Sequence, residues 1–172
     1  MRNFELEVEY PASSEQVCQM LTDPAFLEFR WTQMPQANCQ VQVERAGEET
    51  FVSRVKVGMA KLAAASAYAR LLPEELEIEV IENWTNNPRP GIIAEGNFDV
   101  RFAKVPVQVA AGSFLELSPG EPERTRRKIS GTLQVNMPLI GGKVERELLA
   151  HLQVFADGEE EAATRWLVNQ AS

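Results

Sequence analysis

The stretch MPLIGGKVERELLAHLQVF, from Met137 to Phe155, decides the fold of this 172-residue chain. Its apolar residues recur at three- and four-residue steps, at Ile140, Val144, Leu148, Leu152 and Phe155. His151 lies on the same stripe. Charged residues fall largely on the opposite side, at Lys143, Glu145 and Glu147. This spacing predicts a long amphipathic helix over about residues 139–156 or further.

Strictly alternating segments precede this helix. Residues 4–10 place Phe4, Leu6, Val8 and Tyr10 on one face and glutamates on the other, which is the period of a half-buried strand. Six more alternating segments follow between about residues 39 and 137, and proline-glycine turns at 88–91 and 118–123 separate some of them. The sequence therefore predicts seven strands in an antiparallel meander.

Helices interrupt the strand pattern at two places. After the first strand, Ser13 and Gln16 have the spacing of a helix capping box, and a second short helix is predicted after Asp23-Pro24. Between predicted strands three and four, the alanine-rich segment 59–72 ends at Pro73 and has helical propensity. This insertion is predicted to be a passive surface helix, with a lid over an interior cavity as the functional alternative.

Composition limits the classes of protein to consider. With 44% hydrophobic residues, the chain suits one domain over residues 1–172. A net charge of −8 argues against nucleic-acid binding, which needs lysines and arginines to displace counterions. The basic cluster RTRRK at 124–128 is short and is predicted to be a solvated strand end rather than a phosphate site. No segment resembles a signal peptide or a membrane span, so we expect a cytoplasmic protein without stable membrane insertion.

Neither metal nor redox chemistry is indicated. Cys18 and Cys39 lack the spacing of metal or redox motifs, and one histidine adds too few ligands for a recognisable metal site. The sequence predicts no cofactor and no metal.

Three motifs carry a resemblance to known proteins: FELEVEYPASSEQVCQMLTDPAF at 4–26, ENW at 82–84 and VNMPLIGGKVERELLAHL at 135–152. The chain resembles the START-like helix-grip superfamily (SRPBCC), which includes birch-pollen-allergen-like proteins and polyketide cyclases. More narrowly, it resembles an uncharacterised bacterial family of unknown function within that superfamily. The resemblance implies an α+β fold with a curved seven-stranded antiparallel sheet. Two short helices follow strand one, and the long C-terminal helix packs on the concave face.

In such folds a cavity between sheet and helix holds an apolar ligand, and the resemblance supplies no catalytic residues to carry over. The predicted cavity lining combines inward strand positions with the helical stripe: Leu76, Ile78, Val80, Glu82, Trp84, Phe98, Phe102, Leu133, Val144, Leu148, His151 and Phe155. The expected function is non-catalytic binding or carriage of an apolar small molecule, for example a lipid.

Two alternatives to this function stay open. A polyketide-cyclase-like enzyme would use Glu82, His151 or both as acid-base groups. A protein-interaction domain would instead fill the cavity with its own side chains. Glu82 shares its predicted face with apolar residues, so it either lies in a functional cleft or reaches solvent or an arginine. The acidic run DGEEEA at 157–162 is predicted to be a solvated helix face at a weak point of the long helix.

Overall fold

The computed structural model describes residues 1–33, 38–59, 64 and 66–170. Within these residues, seven strands form one antiparallel sheet in the order β1-β7-β6-β5-β4-β3-β2. The strands are β1 (Arg2–Tyr10), β2 (Cys39–Arg45), β3 (Thr50–Gly58), β4 (Glu77–Thr85), β5 (Ala94–Phe102), β6 (Val107–Ser118) and β7 (Glu121–Val135). The helices are α1 (Ser14–Leu21), α2 (Pro24–Thr32) and α3 (Gly141–Gln170), with a 3-10 turn at Ala69–Leu71. This is the predicted α+β architecture.

The two short helices begin where the sequence places their caps. Ser13 and Gln16 form the predicted capping box at the start of α1, which satisfies N–H groups that have no partner within the helix. The side chain of Asp23 accepts a hydrogen bond from the Ala25 N–H at 2.8 Å, and Pro24 occupies the first turn of α2, where its missing N–H is not needed. Each cap forms between residues two or three positions apart in the sequence. The prediction of two short helices is confirmed.

Strand alternation also matches the prediction. On β1, Phe4, Leu6, Val8 and Tyr10 are buried, and on β4 the residues Ile78, Val80, Glu82 and Trp84 are buried. The inward face of the sheet packs against α3, which contacts β1 and β7, and α2 contacts both α3 and β2. The core therefore lies between the sheet and these helices.

Helix α3 departs from the sequence-based expectation in two respects. It runs without interruption through Asp157-Gly158, where a weak point was predicted. Glu145, predicted on the exposed side, is buried and accepts a hydrogen bond from the Val135 N–H at 3.1 Å. That prediction was wrong because the first turn of α3 lies against the end of β7, whose last N–H needs an acceptor.

Residues 60–63 and 65 of segment 59–72, where a helix was predicted, lie outside the described residues, and residues 66–72 form turns rather than an α-helix. Its described end forms the 3-10 turn at Ala69–Leu71, and Ser66 donates a hydrogen bond to Glu147 of α3 at 2.6 Å. The connection between β3 and β4 is thus tied to the first half of α3. None of the described helices combines the length and the apolar character needed to cross a bilayer.

Candidate functional site

Strand alternation places the carboxylate of Glu82 inside the protein. Glu82 is 1% exposed. Its Oε1 lies 3.0 Å from Nη2 of Arg30 on α2, and its Oε2 lies 3.2 Å from Nη2 of Arg127 on β7. The Trp84 indole N–H donates a further hydrogen bond to Oε2 at 3.3 Å. A buried carboxylate requires such partners, and Glu82 has three.

Glu159 on α3 faces the same two arginines. Its Oε1 lies 2.8 Å from Nη1 of Arg127, and its Oε2 lies 3.4 Å from Nη1 of Arg30. The four side chains therefore alternate in sign around a closed circuit, Arg30–Glu82–Arg127–Glu159, which we call the charge ring. The formal charges sum to zero. The ring joins α2, β4, β7 and α3 in the interior.

Neighbouring side chains complete the polar and aromatic contacts of the ring. The Tyr10 hydroxyl donates a short hydrogen bond to Oε1 of Glu159, and Arg127 Nε donates to Ser113 Oγ at 2.9 Å. The Arg127 guanidinium carbon lies 4.9 Å from the centroid of the Trp84 ring, within cation–π range. These contacts extend the network to β1 and β6.

Protonation in the ring follows from burial and charge. Burial by itself would raise the pKa of Glu82, but Arg30 and Arg127 outweigh it and lower the pKa to about 2. Burial raises the pKa of Tyr10 well above its usual value, and the Glu159 carboxylate adds to this effect. The two carboxylates raise the pKa of Arg127 despite its burial. Glu82 is thus held ionised and Tyr10 is held neutral.

Three buried polar atoms at or beside the ring have no hydrogen-bond partner among the described residues. They are Arg30 Nε, Trp31 Nε1 and Ser53 Oγ. Trp31 follows Arg30 on α2, and Ser53 lies opposite Glu82 in the β3–β4 register. Buried polar groups are normally paired, so a water molecule or a ligand atom is expected here.

The predicted acid-base residues are not brought together. His151 precedes Glu159 by eight residues on α3, which is roughly 12 Å along the helix axis, and Glu159 faces the same arginines as Glu82. His151 is half-buried, and Glu82 is engaged by two arginines. This arrangement does not form an acid-base pair.

The other predicted cavity residues lie on the expected inward faces. Those that are buried are Leu76, Ile78, Val80, Trp84, Phe98, Leu133, Val144 and Phe155; Phe102 and Leu148 are half-buried. The Phe98 and Phe155 rings lie 6.4 Å apart between centroids, so sheet and helix meet there directly.

Two clefts are described at the surface. The larger, of about 710 Å³, lies beside α1, and we call it the α1 cleft. The smaller, of about 170 Å³, lies between the end of α2 and α3 and is lined in part by Arg30, Phe155 and Arg165. Phe155 is the one predicted cavity residue that borders either of these clefts.

Comparison with known proteins places the chain in a family. Residues 5–167 match the model of a family described as "Protein of unknown function (DUF2505)". The chain belongs to this family. It is also 23% identical over 173 residues to an uncharacterized protein of Mycobacterium tuberculosis, with 98% of each chain covered.

Solved structures share the fold of this DUF2505 chain. A START superfamily protein from Mycobacterium smegmatis matches with a TM-score of 0.53 and 13% identity, over 94% of this chain and 96% of that one. The Zhui aromatase/cyclase from Streptomyces sp. R1128 matches with a TM-score of 0.52 and 14% identity, over 94% and 90% of the respective chains. The START-like fold expected from the sequence motifs is thereby confirmed.

Sequence reasoning missed three members of the charge ring. Within RTRRK, Arg127 is 1% exposed rather than solvated, and within DGEEEA, Glu159 is also 1% exposed. Both predictions of solvent exposure were wrong for these residues because each charge meets two opposite charges inside the protein. A signal was present: Arg127 shares the strand parity of Ile129 and Leu133, and Glu159 follows Phe155 by one helical turn.

Arg30 carried a similar signal, since it lies one helical turn after Phe26 and next to Trp31 on the buried face of α2. Among the described residues, no three histidine, cysteine, aspartate or glutamate side chains gather as a metal-binding group. The charge ring is a neutral ionic network of two arginines and two glutamates.

Proposed function

We propose that this protein binds an apolar small molecule between the sheet and the first half of α3, without converting it chemically. The observation that carries the proposal is the division of the interior into two chemically different ends. The charge ring occupies one end. Away from the ring, beginning with Val80 two residues before Glu82 on the same face of β4, a row of inward apolar residues crosses five paired strands: Val55, Val80, Val100, Val109 and Leu133.

The helix residues at this apolar end support a ligand contact. Leu148, His151 and Leu152 are half-buried, whereas Val144 and Phe155 on either side of them are buried. The stripe is thus less covered at its middle than at its flanks. A ligand that covered this apolar surface would gain about 25 cal/mol for each Å² removed from water.

At its end near the charge ring, the same ligand would carry a polar atom. An apolar body extending from Leu148 towards Phe155 would approach Arg30, whose Nε lacks a partner among the described residues. A carbonyl or hydroxyl oxygen at the ligand's end could accept that hydrogen bond. Because the ring is already neutral, a neutral acceptor suits it better than a second carboxylate.

The contacts of Glu82 favour binding over catalysis. One solved structure with this fold is named an aromatase/cyclase. If this chain were such an enzyme, Glu82 or His151 would have to act as its acid-base group. A general base works best with a pKa near the working pH. Glu82 is held at a pKa of about 2 by two arginines, which makes it a weak base.

Probe binding to matched helix variants tests the proposal. Leu148→Trp should weaken binding of the neutral fluorescent probe N-phenylnaphthylamine by about ten-fold or more, because the larger side chain takes up ligand space. Val154→Trp, on an exposed position of the same helix, is the control and should leave binding unchanged. Thermal unfolding of both variants checks that they remain folded.

Other outcomes would contradict specific parts of the proposal. A folded wild type that does not bind the probe would favour a self-filled interior and an interaction domain. Equal binding by both variants would place the probe elsewhere. Native mass spectrometry of protein purified from its own host would identify a retained ligand. Conversion of that ligand by the wild type but not by the His151→Phe variant would support the polyketide-cyclase-like alternative.

A further inference from the structure

The α1 cleft is a second candidate binding site, and none of the twelve predicted cavity residues borders it. One wall is α1, and the other comes from the β2–β3 connection, the start of β3 and the β4–β5 connection. Its volume of about 710 Å³ is large enough for a drug-sized molecule. Its lining residues are Ser14, Glu15, Cys18, Gln19, Thr22, Glu49, Phe51, Asn86, Pro88 and Ile93.

Apolar side chains form one part of this lining. Phe51, Ile93 and Cys18 are half-buried, and both Ile93 and Cys18 pack against the hydrophobic core. Packing against the core therefore anchors both side chains. Such a surface suits an aromatic or aliphatic body.

The charged side chains of the lining are carboxylates only. Glu15 lies on α1 and Glu49 on the facing connection, and no lysine or arginine is among the lining residues. Asn86 helps to hold Glu49: its backbone N–H donates to the Glu49 carbonyl at 2.9 Å, and its side-chain amide donates to the Glu49 carboxylate at 3.4 Å.

The Arg45 side chain lies close to the cleft, against its lining residue Phe51. The Arg45 guanidinium carbon is 5.8 Å from the centroid of the Phe51 ring, and Arg45 Nε donates to the Gly47 carbonyl at 3.1 Å. Arg45 bonds backbone carbonyls rather than Glu15 or Glu49, so the lining itself carries two negative charges. The contact also shows that the Phe51 ring accepts a cation on its face.

We propose that the α1 cleft binds an amphipathic cation, in which a protonated amine is carried on an apolar body. The body would lie against Phe51 and Ile93, and the ammonium group would lie between Glu15 and Glu49. A carboxylate or phosphate on the same body would meet two negative charges instead. This inference does not depend on the ligand proposed for the sheet-helix interior.

Three molecules with one body and different head groups test the proposal: phenylbutylammonium, phenylbutanol and phenylbutanoate. The readout is alkylation of Cys18, which lines the cleft, compared with Cys39, which does not; both thiols are half-exposed. The ammonium compound should slow labelling of Cys18 but not of Cys39. It should do so at about five-fold lower concentration than the alcohol, as expected for a cation near exposed carboxylates.

Charge-neutral variants give the second arm of the test. The double variant Glu15→Gln/Glu49→Gln should lose this five-fold preference for the ammonium compound. Glu5→Gln, an exposed position on β1, is the matched control and should retain it. Leu148→Trp should retain it as well, which separates this cleft from the interior site.

The proposal is overturned if the three compounds protect Cys18 equally, if the carboxylate protects best, or if none protects. It is also overturned if both cysteines are protected alike, or if the double variant keeps the preference.

Discussion

Arg127 on β7 and Glu159 on α3 lie 2.8 Å apart between Nη1 and Oε1, and both side chains are buried. This contact ties the long helix to the sheet at a defined position along the helix axis. Apolar packing alone is less specific about such a position, because neighbouring turns offer similar surfaces. We expect the charge ring to fix the register of α3 on the sheet, and its removal to be costly for that reason.

Arg127→Met should lower the free energy of unfolding by about 3–5 kcal/mol, because it leaves two buried carboxylates with one shared arginine. Arg126→Met is the matched control. Arg126 is the neighbour on β7, but its ion pair with Glu9 is partly exposed, and its loss should change the free energy by about 1 kcal/mol or less. Urea unfolding measures both, and equal effects would show that the ring does not hold the helix.

Removing a carboxylate along with the arginine should restore part of the loss. In Arg127→Met/Glu159→Gln, Arg30 has only Glu82 to balance, so the ring loses one charge of each sign. The double variant should be more stable than the sum of the single changes predicts, by about 1–3 kcal/mol. A double-mutant cycle from urea unfolding gives this coupling energy, and strict additivity would mean that the two residues act independently.

The lowered pKa of Glu82 predicts a pH dependence. A carboxyl group whose pKa is lower in the folded state contributes stability that is present above its unfolded pKa of about 4.3 and is lost as the pH falls towards the folded value of about 2. The stability difference between wild type and Glu82→Gln should therefore shrink between about pH 4.3 and pH 2. Urea unfolding at several pH values measures this stability difference. Glu5→Gln, at an exposed position of β1, serves as the control. A difference that stays constant with pH would contradict the lowered pKa.

Tyr10 should stay neutral at alkaline pH for as long as the protein is folded. Its raised pKa means that its contribution to stability is present below the unfolded pKa of about 10 and is lost as the pH rises above it. The chain has two tyrosines, so the Tyr68→Phe variant isolates Tyr10. Phenolate absorbance should appear together with loss of the folded circular-dichroism signal. Ionisation well before unfolding would contradict the buried contact with Glu159.

Gly131→Ala should lower the free energy of unfolding by about 1–3 kcal/mol. A methyl group there would lie 2.3 Å from the Ala110 carbonyl oxygen and 2.5 Å from Cβ of Ala111, so the backbone of β6 or β7 must shift. Gly112→Ala on β6 is the control, because its nearest neighbour is a Phe114 ring atom at 3.8 Å. Thermal unfolding compares the two variants. Similar midpoints would mean that β6 and β7 can shift to admit the methyl group at little cost in stability.

The strands and caps were predictable because their causes are local. Alternation on β1 and β4 follows from side chains pointing to opposite faces of a strand, and the Ser13–Gln16 box acts within one helical turn. The same parity placed Glu82 inside correctly. The family resemblance implied that α3 packs on the concave face of the sheet, which periodicity by itself does not give. The pairing of β1 with β7 was not predicted.

The charge ring was not predictable in the same way. Arg30, Glu82, Arg127 and Glu159 are spread over 130 residues of sequence, from 30 to 159. Strand parity and helical spacing are compatible with a buried position for each charge, but charged residues are rarely buried unless they are paired, and Arg127 and Glu159 were therefore predicted to be solvated. Pairing is a long-range property, and nothing in RTRRK or DGEEEA specifies which distant residue comes near.

The sequence by itself determined the seven strands, the two short helices, the long helix and the family, because hydrophobic periodicity, capping and motifs are encoded over short stretches. Tertiary structure alone decided that four separated charges would meet in a neutral ring. It also decided that Glu82 and His151 would lie apart, and that α1 would face Glu49 and Phe51 across a cleft. The physical reason is that electrostatic pairing depends on distances between side chains, and only the folded chain sets those distances.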